Sequence, residues 1–120
     1  MRYDRYKTTE ETKDISKDVK KFIDFYGSEN QEKKAIEELN ELIEAIKEKD
    51  KIHIAEEIAD VEIMLKQLKI IYDIQQGVIE EIKLYKIDRQ NQRMLGQNEK
   101  KTLTRSKNSG IIIASMRPYT

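Results

Sequence analysis

The sequence predicts an all-α protein, a bundle of four helices followed by a flexible C-terminal tail, and three observations carry that expectation. The 120 residues include one proline and four glycines, too little punctuation for the many short strands of a sandwich or barrel. Apolar residues recur at three- and four-residue intervals through most of the first 95 positions. Charged and hydrophobic residues are equally abundant, 38% each, which suits amphipathic helices and leaves no stretch apolar enough to cross a membrane. The length is that of one domain. There is no cysteine, so disulfide frameworks, thiolate metal sites and cysteine nucleophiles are excluded. The opening residues MRYDRYKTTEET lack the apolar core of a secretion signal, and the expected compartment is the cytoplasm.

The first helix is expected over 9–26. Thr8 to Glu11 has the spacing of a capping box, Ile15, Val19, Phe22, Ile23 and Tyr26 follow at helical intervals, and Gly27 stops the run. A second such box, Ser28 to Gln31, opens a helix over 29–48 whose apolar stripe is Ile36, Leu39, Leu42, Ile43 and Ile46. Asp50 caps the third and most apolar helix, in which Ile54, Ile58, Val61, Met64, Leu65, Leu68, Ile71 and Tyr72 lead to a stop at Gly77. The fourth runs from Val78 to about Leu95, with Ile79, Ile82 and Tyr85 in its early turns, and is ended by Gly96. The domain organisation expected is a helical body over 1–95 and a basic, flexible tail over 96–120.

The formal net charge of zero conceals an asymmetry. Residues 1–82 hold 14 Lys and Arg against 21 Asp and Glu, a net −7, whereas residues 83–120 hold 9 against 2, a net +7. An acidic body with a basic end fits cation binding in the first part and phosphate binding in the second, and it equally fits two halves that attract each other.

Four acids stand out by position. At 100° per residue with Ile54 at zero, Leu68, Met64 and Ile71 fall at about 320°, 280° and 260°, and Glu57 at about 300° lies inside that apolar arc. Asp60, at about 240°, sits at the arc's edge, while Glu56 and Glu62 lie on the polar side. On the second helix Glu38 and Glu41 flank the small Ala45. An unpaired buried carboxylate is costly or forced neutral, so such placement calls for a basic partner, a hydrogen-bond network or a metal ion. Two i, i+3 acid pairs on consecutive antiparallel helices converge as a set of four, a donor set suited to a hard divalent cation, Mg²⁺ above all, with Mn²⁺ as a substitute. The same spacing also fits a solvated acidic face or an ion-pair network. A di-iron site is excluded, since it needs two Glu-x-x-His pairs and the chain has one histidine, His53, read as a surface or capping residue.

Together, EELNE at 37–41 and EEIAD at 56–60 resemble the paired E-x-x-E and E-x-x-D motif of the MazG-like all-α nucleoside triphosphate pyrophosphohydrolases. The run GSENQEKKAIEELNELIEAI is similar to the first motif helix of small phage and bacterial members, and YKIDRQ at 85–90 to the close of their last helix. The similarity covers roughly residues 22–93, with Ala59 standing where many members place glycine. The resemblance implies a bundle that forms a homodimer or homotetramer, binds Mg²⁺ through Glu38, Glu41, Glu57 and Asp60, and cleaves a nucleoside triphosphate to the monophosphate and pyrophosphate. It leaves the preferred nucleotide open.

That reaction needs charge neutralisation, in-line positioning and an activated water. Glu38 and Glu41 are the candidate catalytic acids, Glu41 as the residue that orients water. Lys86, Arg89 and Arg93 at i, i+3, i+7 on the fourth helix are candidate phosphate contacts, with Lys33 and Lys34 as further ones, and a solvated basic face is the plain alternative. In the family the base pocket lies near the start of the motif helices, which makes Gln31 and Tyr26 its candidate contacts. No glycine-rich phosphate loop is present. The rival expectation is a non-catalytic helical module that binds a protein or nucleic acid through Lys100, Lys101, Arg105 and Lys107 of the tail.

Overall fold

The computed structural model describes residues 6, 8–9 and 11–98. They contain four helices and no strand: α1 (Ser16–Tyr26), α2 (Ser28–Glu48), α3 (Lys51–Ile71) and α4 (Gln76–Asn98). The chain divides into two compact units, residues 1–74 with α1, α2 and α3, and residues 75–120 with α4. In the first unit α2 and α3 form an antiparallel hairpin, and α1 packs on both. Among the described residues no helix is long and apolar enough to cross a membrane. The expected basic tail beyond Asn98, with Lys100, Lys101, Arg105 and Lys107, lies outside the described residues.

Several boundaries differ from expectation, each for a local reason. α1 begins at Ser16, not near residue 9, because the apolar periodicity only starts at Ile15 and earlier positions have nothing to bury. Glu11 N–H donates to Thr9 Oγ1 in a local turn, and the helix start is organised instead by Asp14 Oδ1, which accepts from Ser16 N–H at 2.9 Å and Ser16 Oγ at 2.6 Å. A single residue joins α1 to α2. Gly27 holds φ +93°, a conformation that favours glycine, donates its N–H to Ile23 O and accepts from Gln31 N–H. Ser28 makes no side-chain cap, and the Gln31 side chain is turned into the hairpin instead of back toward the cap.

Lys49 in the left-handed region ends α2, and Asp50 then caps α3, its Oδ1 accepting from the N–H groups of Ile52 and His53. α3 stops at Ile71, six residues before Gly77. Asp73 at φ +54° makes a Schellman turn, with Asp73 N–H donating to Ile70 O and Ile74 N–H to Lys69 O, so the left-handed position is filled by aspartate and not by glycine. Gly77 lies in the first turn of α4, and Gly96 also lies inside that helix, which runs past the expected end at Leu95. A glycine inside a helix costs about 1 kcal/mol relative to alanine; Gly77 falls in the first turn, and Gly96 lies between the good helix formers Leu95 and Gln97.

The largest departure concerns which faces turn inward. The residues of α2 that are buried are Gln31, Ala35, Glu38 and Ala45, with Leu42 half-buried between them, a 4-3-4-3 seam. Of the expected apolar stripe, Ile36, Leu39, Ile43 and Ile46 are exposed, Ile36 at 60%. On α3 the buried set is Glu57, Val61, Met64 and Gln67, while Ile58 and Leu65 are exposed. α1 buries Val19 and Ile23 and leaves Phe22 and Tyr26 partly exposed. The small side chains of Ala35 and Ala45 lie on the α2 face that carries the polar side chains, a combination that lets helices approach closely and bury them.

Candidate metal centre

Two glutamates lie on opposite sides of the hairpin at its buried face. Glu38 comes from α2 and Glu57 from α3, each only 7% exposed. One carboxylate oxygen from each of Glu38, Glu41 and Glu57 lies within 4.8 Å of the others, Glu41 being exposed at the rim. Three of the four expected acids are thus brought together. The fourth, Asp60, is half-buried beside them and interacts electrostatically with Glu38 and Glu57, but it lies outside the triad.

The two buried glutamates are held alike. Lys34 Nζ stands 3.2 Å from Glu38 Oε2, and His53 Nε2 stands 3.3 Å from Glu57 Oε2; both bases precede their acid by four residues. The remaining oxygens, Glu38 Oε1 and Glu57 Oε1, are buried with no hydrogen-bond partner. A buried acceptor left without a donor is destabilising, so these atoms point to a ligand chemistry. Burial, followed by the charges of Glu41, Asp60 and Glu38, pushes the Glu57 carboxyl above its ordinary value. Asp60 is raised in the same way, by burial first and then by Glu38. Hard oxygen donors, excess negative charge and two buried oxygens without a partner fit a divalent cation such as Mg²⁺ or Mn²⁺.

His53 is a residue that sequence reasoning placed at the surface and left out of the site. It is one-third exposed, and its Nδ1 lies 3.2 Å from Glu48 Oε1 at the end of α2, so the ring bridges Glu48 and Glu57. The hydrogen bond to Glu48, then the surrounding acids, raises its pKa against a smaller opposing effect of burial. Its position four residues before Glu57 was the available signal.

Beside the acids lies an open cleft of about 620 Å³. Glu38 and Asp60 form its acidic wall, Phe22 and Tyr26 an aromatic one, and Asn30, Gln31 and Gln67 supply amides. Gln31 and Lys34, both expected at a substrate site, line it. Lys34 also contacts Glu37 at 3.8 Å, and its pairing with Glu38 raises its pKa. Gln67 escaped the sequence reading, although it follows Asp60 by seven residues, two helical turns along the same face. A second cavity, along α3, is lined by Tyr6, Ala55, Glu56, Glu57, Ala59 and Asp60, and Tyr6 Oη donates to Glu56 Oε2 at 2.8 Å.

Lys86, Arg89 and Arg93 belong to α4, in the second unit. Within that helix Lys86 and Arg93 are exposed, and the Arg89 guanidinium stacks over the Tyr85 ring at 5.5 Å, a cation–π contact. In comparisons with known proteins, no family model matches the chain, and no curated protein or solved structure matches it.

Proposed function

We propose that this protein is a divalent-cation-dependent nucleoside triphosphate pyrophosphohydrolase that converts (d)NTP to (d)NMP and pyrophosphate. The observation that carries the reading is the pair of buried glutamates whose Oε1 atoms have no partner, set against Glu41. Glu38, Glu41 and Glu57 would hold the cation, with Asp60 as a further acid beside them. Mg²⁺ or Mn²⁺ bound there would neutralise polyphosphate charge and lower the barrier to attack at phosphorus. Glu41, the most accessible of the three, is suited to orient a water molecule and accept its proton. The cleft supports a nucleoside beside this centre, since Phe22 and Tyr26 offer ring faces and Gln31 an amide at the acidic wall. Lys34 at the cleft is the proposed phosphate contact of this unit. The resemblance of residues 37–41 and 56–60 to the MazG-like motif supports the same reaction.

A homodimer or homotetramer belongs to this proposal. The outward Ile36, Leu39, Ile43 and Ile46 repeat at 3-4-3 spacing, the pattern of a helix seam awaiting a partner. Nucleoside triphosphates are soluble cytoplasmic metabolites, and the proposed compartment is the cytoplasm. The same outward stripe favours a second reading, a non-catalytic module that presents this face to a different protein, with nucleic acid contacts through the basic tail.

The test is pyrophosphate release from a panel of ribo- and deoxynucleoside triphosphates in Mg²⁺ or EDTA, with Glu57→Gln and Glu38→Gln beside the wild type. Release that requires the metal and falls by at least about a hundredfold in both variants supports the enzyme. No release from any nucleotide by folded wild type turns the reading to the interaction module.

A further inference from the structure

We infer that Lys34 and His53 are positioning residues of the acidic centre: each grips Oε2 of the buried glutamate four residues ahead of it, and so presents the unpartnered Oε1 as a fixed ligand for a divalent cation. The inference rests on the proposed cation site and adds two residues that no acid motif contains.

The geometry repeats on two helices. Lys34 Nζ meets Glu38 Oε2 at 3.2 Å on α2, and His53 Nε2 meets Glu57 Oε2 at 3.3 Å on α3. In both acids the oxygen left without a partner is Oε1, and in both the residue is more than nine-tenths buried. A carboxylate free at both oxygens rotates about its last torsion and can chelate with either or both. One whose Oε2 is engaged offers a single oxygen in a single direction. His53 is itself held, because Nδ1 faces Glu48 Oε1 at 3.2 Å, so a carboxylate–imidazole–carboxylate chain runs from the end of α2 to the centre. Outer-sphere partners of this kind orient ligands and hold acids of like charge close together before the cation arrives.

The proposal makes a prediction opposite in sign to plain electrostatics. Deleting a positive charge beside a cation site should tighten cation binding if the charge acts only through its field. If Lys34 acts by orienting Glu38, its deletion weakens binding.

The experiment titrates Mn²⁺ into the full-length chain at neutral pH, following free Mn²⁺ by electron paramagnetic resonance, with thermal melts in EDTA to confirm folding. The variants are Lys34→Met, Lys34→Arg, His53→Leu, and His53→Gln, whose amide nitrogen reaches the Nε2 position. Lys34→Met and His53→Leu are expected to weaken Mn²⁺ binding about tenfold or more, and Lys34→Arg and His53→Gln to stay within about threefold of wild type. Unchanged or tighter binding in Lys34→Met and His53→Leu overturns the positioning role and leaves the cation site standing. Binding in His53→Gln as weak as in His53→Leu overturns it for His53. Wild type that binds no Mn²⁺ up to millimolar concentration overturns both the inference and the cation reading on which it rests.

Discussion

Gln31 on α2 donates from Nε2 to Oε1 of Gln67 on α3 at 2.8 Å, and Gln67 is almost completely buried, with 1% of its surface exposed. This amide pair ties the two motif helices together at the cleft, about two helical turns from Glu38 on α2 and nearly three from Glu57 on α3. Gln67 Nε2 also approaches Met64 Sδ at 3.6 Å, so both ends of its amide are engaged.

The pair should behave as a unit. Gln31→Leu alone strips the buried Gln67 carbonyl of its donor and is expected to destabilise the protein by about 1–3 kcal/mol. Gln67→Leu alone is expected to do the same to Gln31. The double variant removes donor and acceptor together and should recover part of that loss. Urea denaturation of the four proteins in a double-mutant cycle measures the coupling, and additive losses would show that the bond does not link the helices.

Glu57 predicts a pH dependence in metal-free protein. Its folded pKa is raised above the ordinary glutamate value of 4.5, so between the two values the folded state binds more protons than the unfolded state. Stability therefore falls as pH rises from about 4.5 through the folded pKa, and the penalty is complete above it. Asp60 contributes in the same direction. His53, also raised, contributes stability that is present below its unfolded pKa and is lost as pH rises through its folded one. Glu57→Gln should reduce this slope and raise the melting temperature in EDTA at neutral pH by a few degrees, on the order of 1 kcal/mol. Addition of Mg²⁺ should stabilise wild type and leave the variant unmoved. Melts between pH 5 and 8, with and without Mg²⁺, decide it.

The outward stripe of α2 predicts self-association. Ile43, half exposed within Ile36, Leu39, Ile43 and Ile46, is the central choice. Ile43→Glu would place a charge in a seam between two copies, and is expected to convert a dimer or tetramer to monomer with little loss of folding. Sedimentation equilibrium of wild type and variant reads this directly, and a monomeric wild type removes the prediction.

Asp73 occupies the left-handed position after α3 at φ +54°. Glycine adopts that conformation without the steric penalty of a Cβ, so Asp73→Gly is expected to stabilise the first unit by about 0.5 kcal/mol, after the greater entropy of glycine in the unfolded chain is offset. Chemical denaturation checks the sign, and a loss of stability would mean that the aspartate side chain contributes more than its backbone strain.

Much of the candidate site was legible because helical spacing is a local property. Of the four acids expected to converge, Glu38, Glu41 and Glu57 do so and Asp60 lies outside the triad, and Asp50 caps α3 as its position implied. His53 and Gln67 were not legible. A lone histidine near a helix start has many ordinary roles, and only the facing carboxylates of Glu48 and Glu57 show which it takes here. Gln67 sits between Lys66 and Leu68 in sequence, and its role exists only because Gln31 arrives opposite it from another helix.

The sequence by itself determined that the described chain is helical, where Asp50 begins α3, and which acids share a helical turn, because each of these depends on contacts within a few residues. The tertiary structure alone decided which side of each helix faces in. α2 carries two parallel seams, one of Gln31, Ala35, Glu38, Leu42 and Ala45 and one of Ile36, Leu39, Ile43 and Ile46, and hydrophobicity favours the second. The first is nevertheless turned inward. Its alanines admit close approach, Gln67 and Lys34 meet its polar groups, and the isoleucines of the second seam are exposed among the described residues. That choice depends on what the neighbouring helix offers in return, a quantity that no single helix encodes.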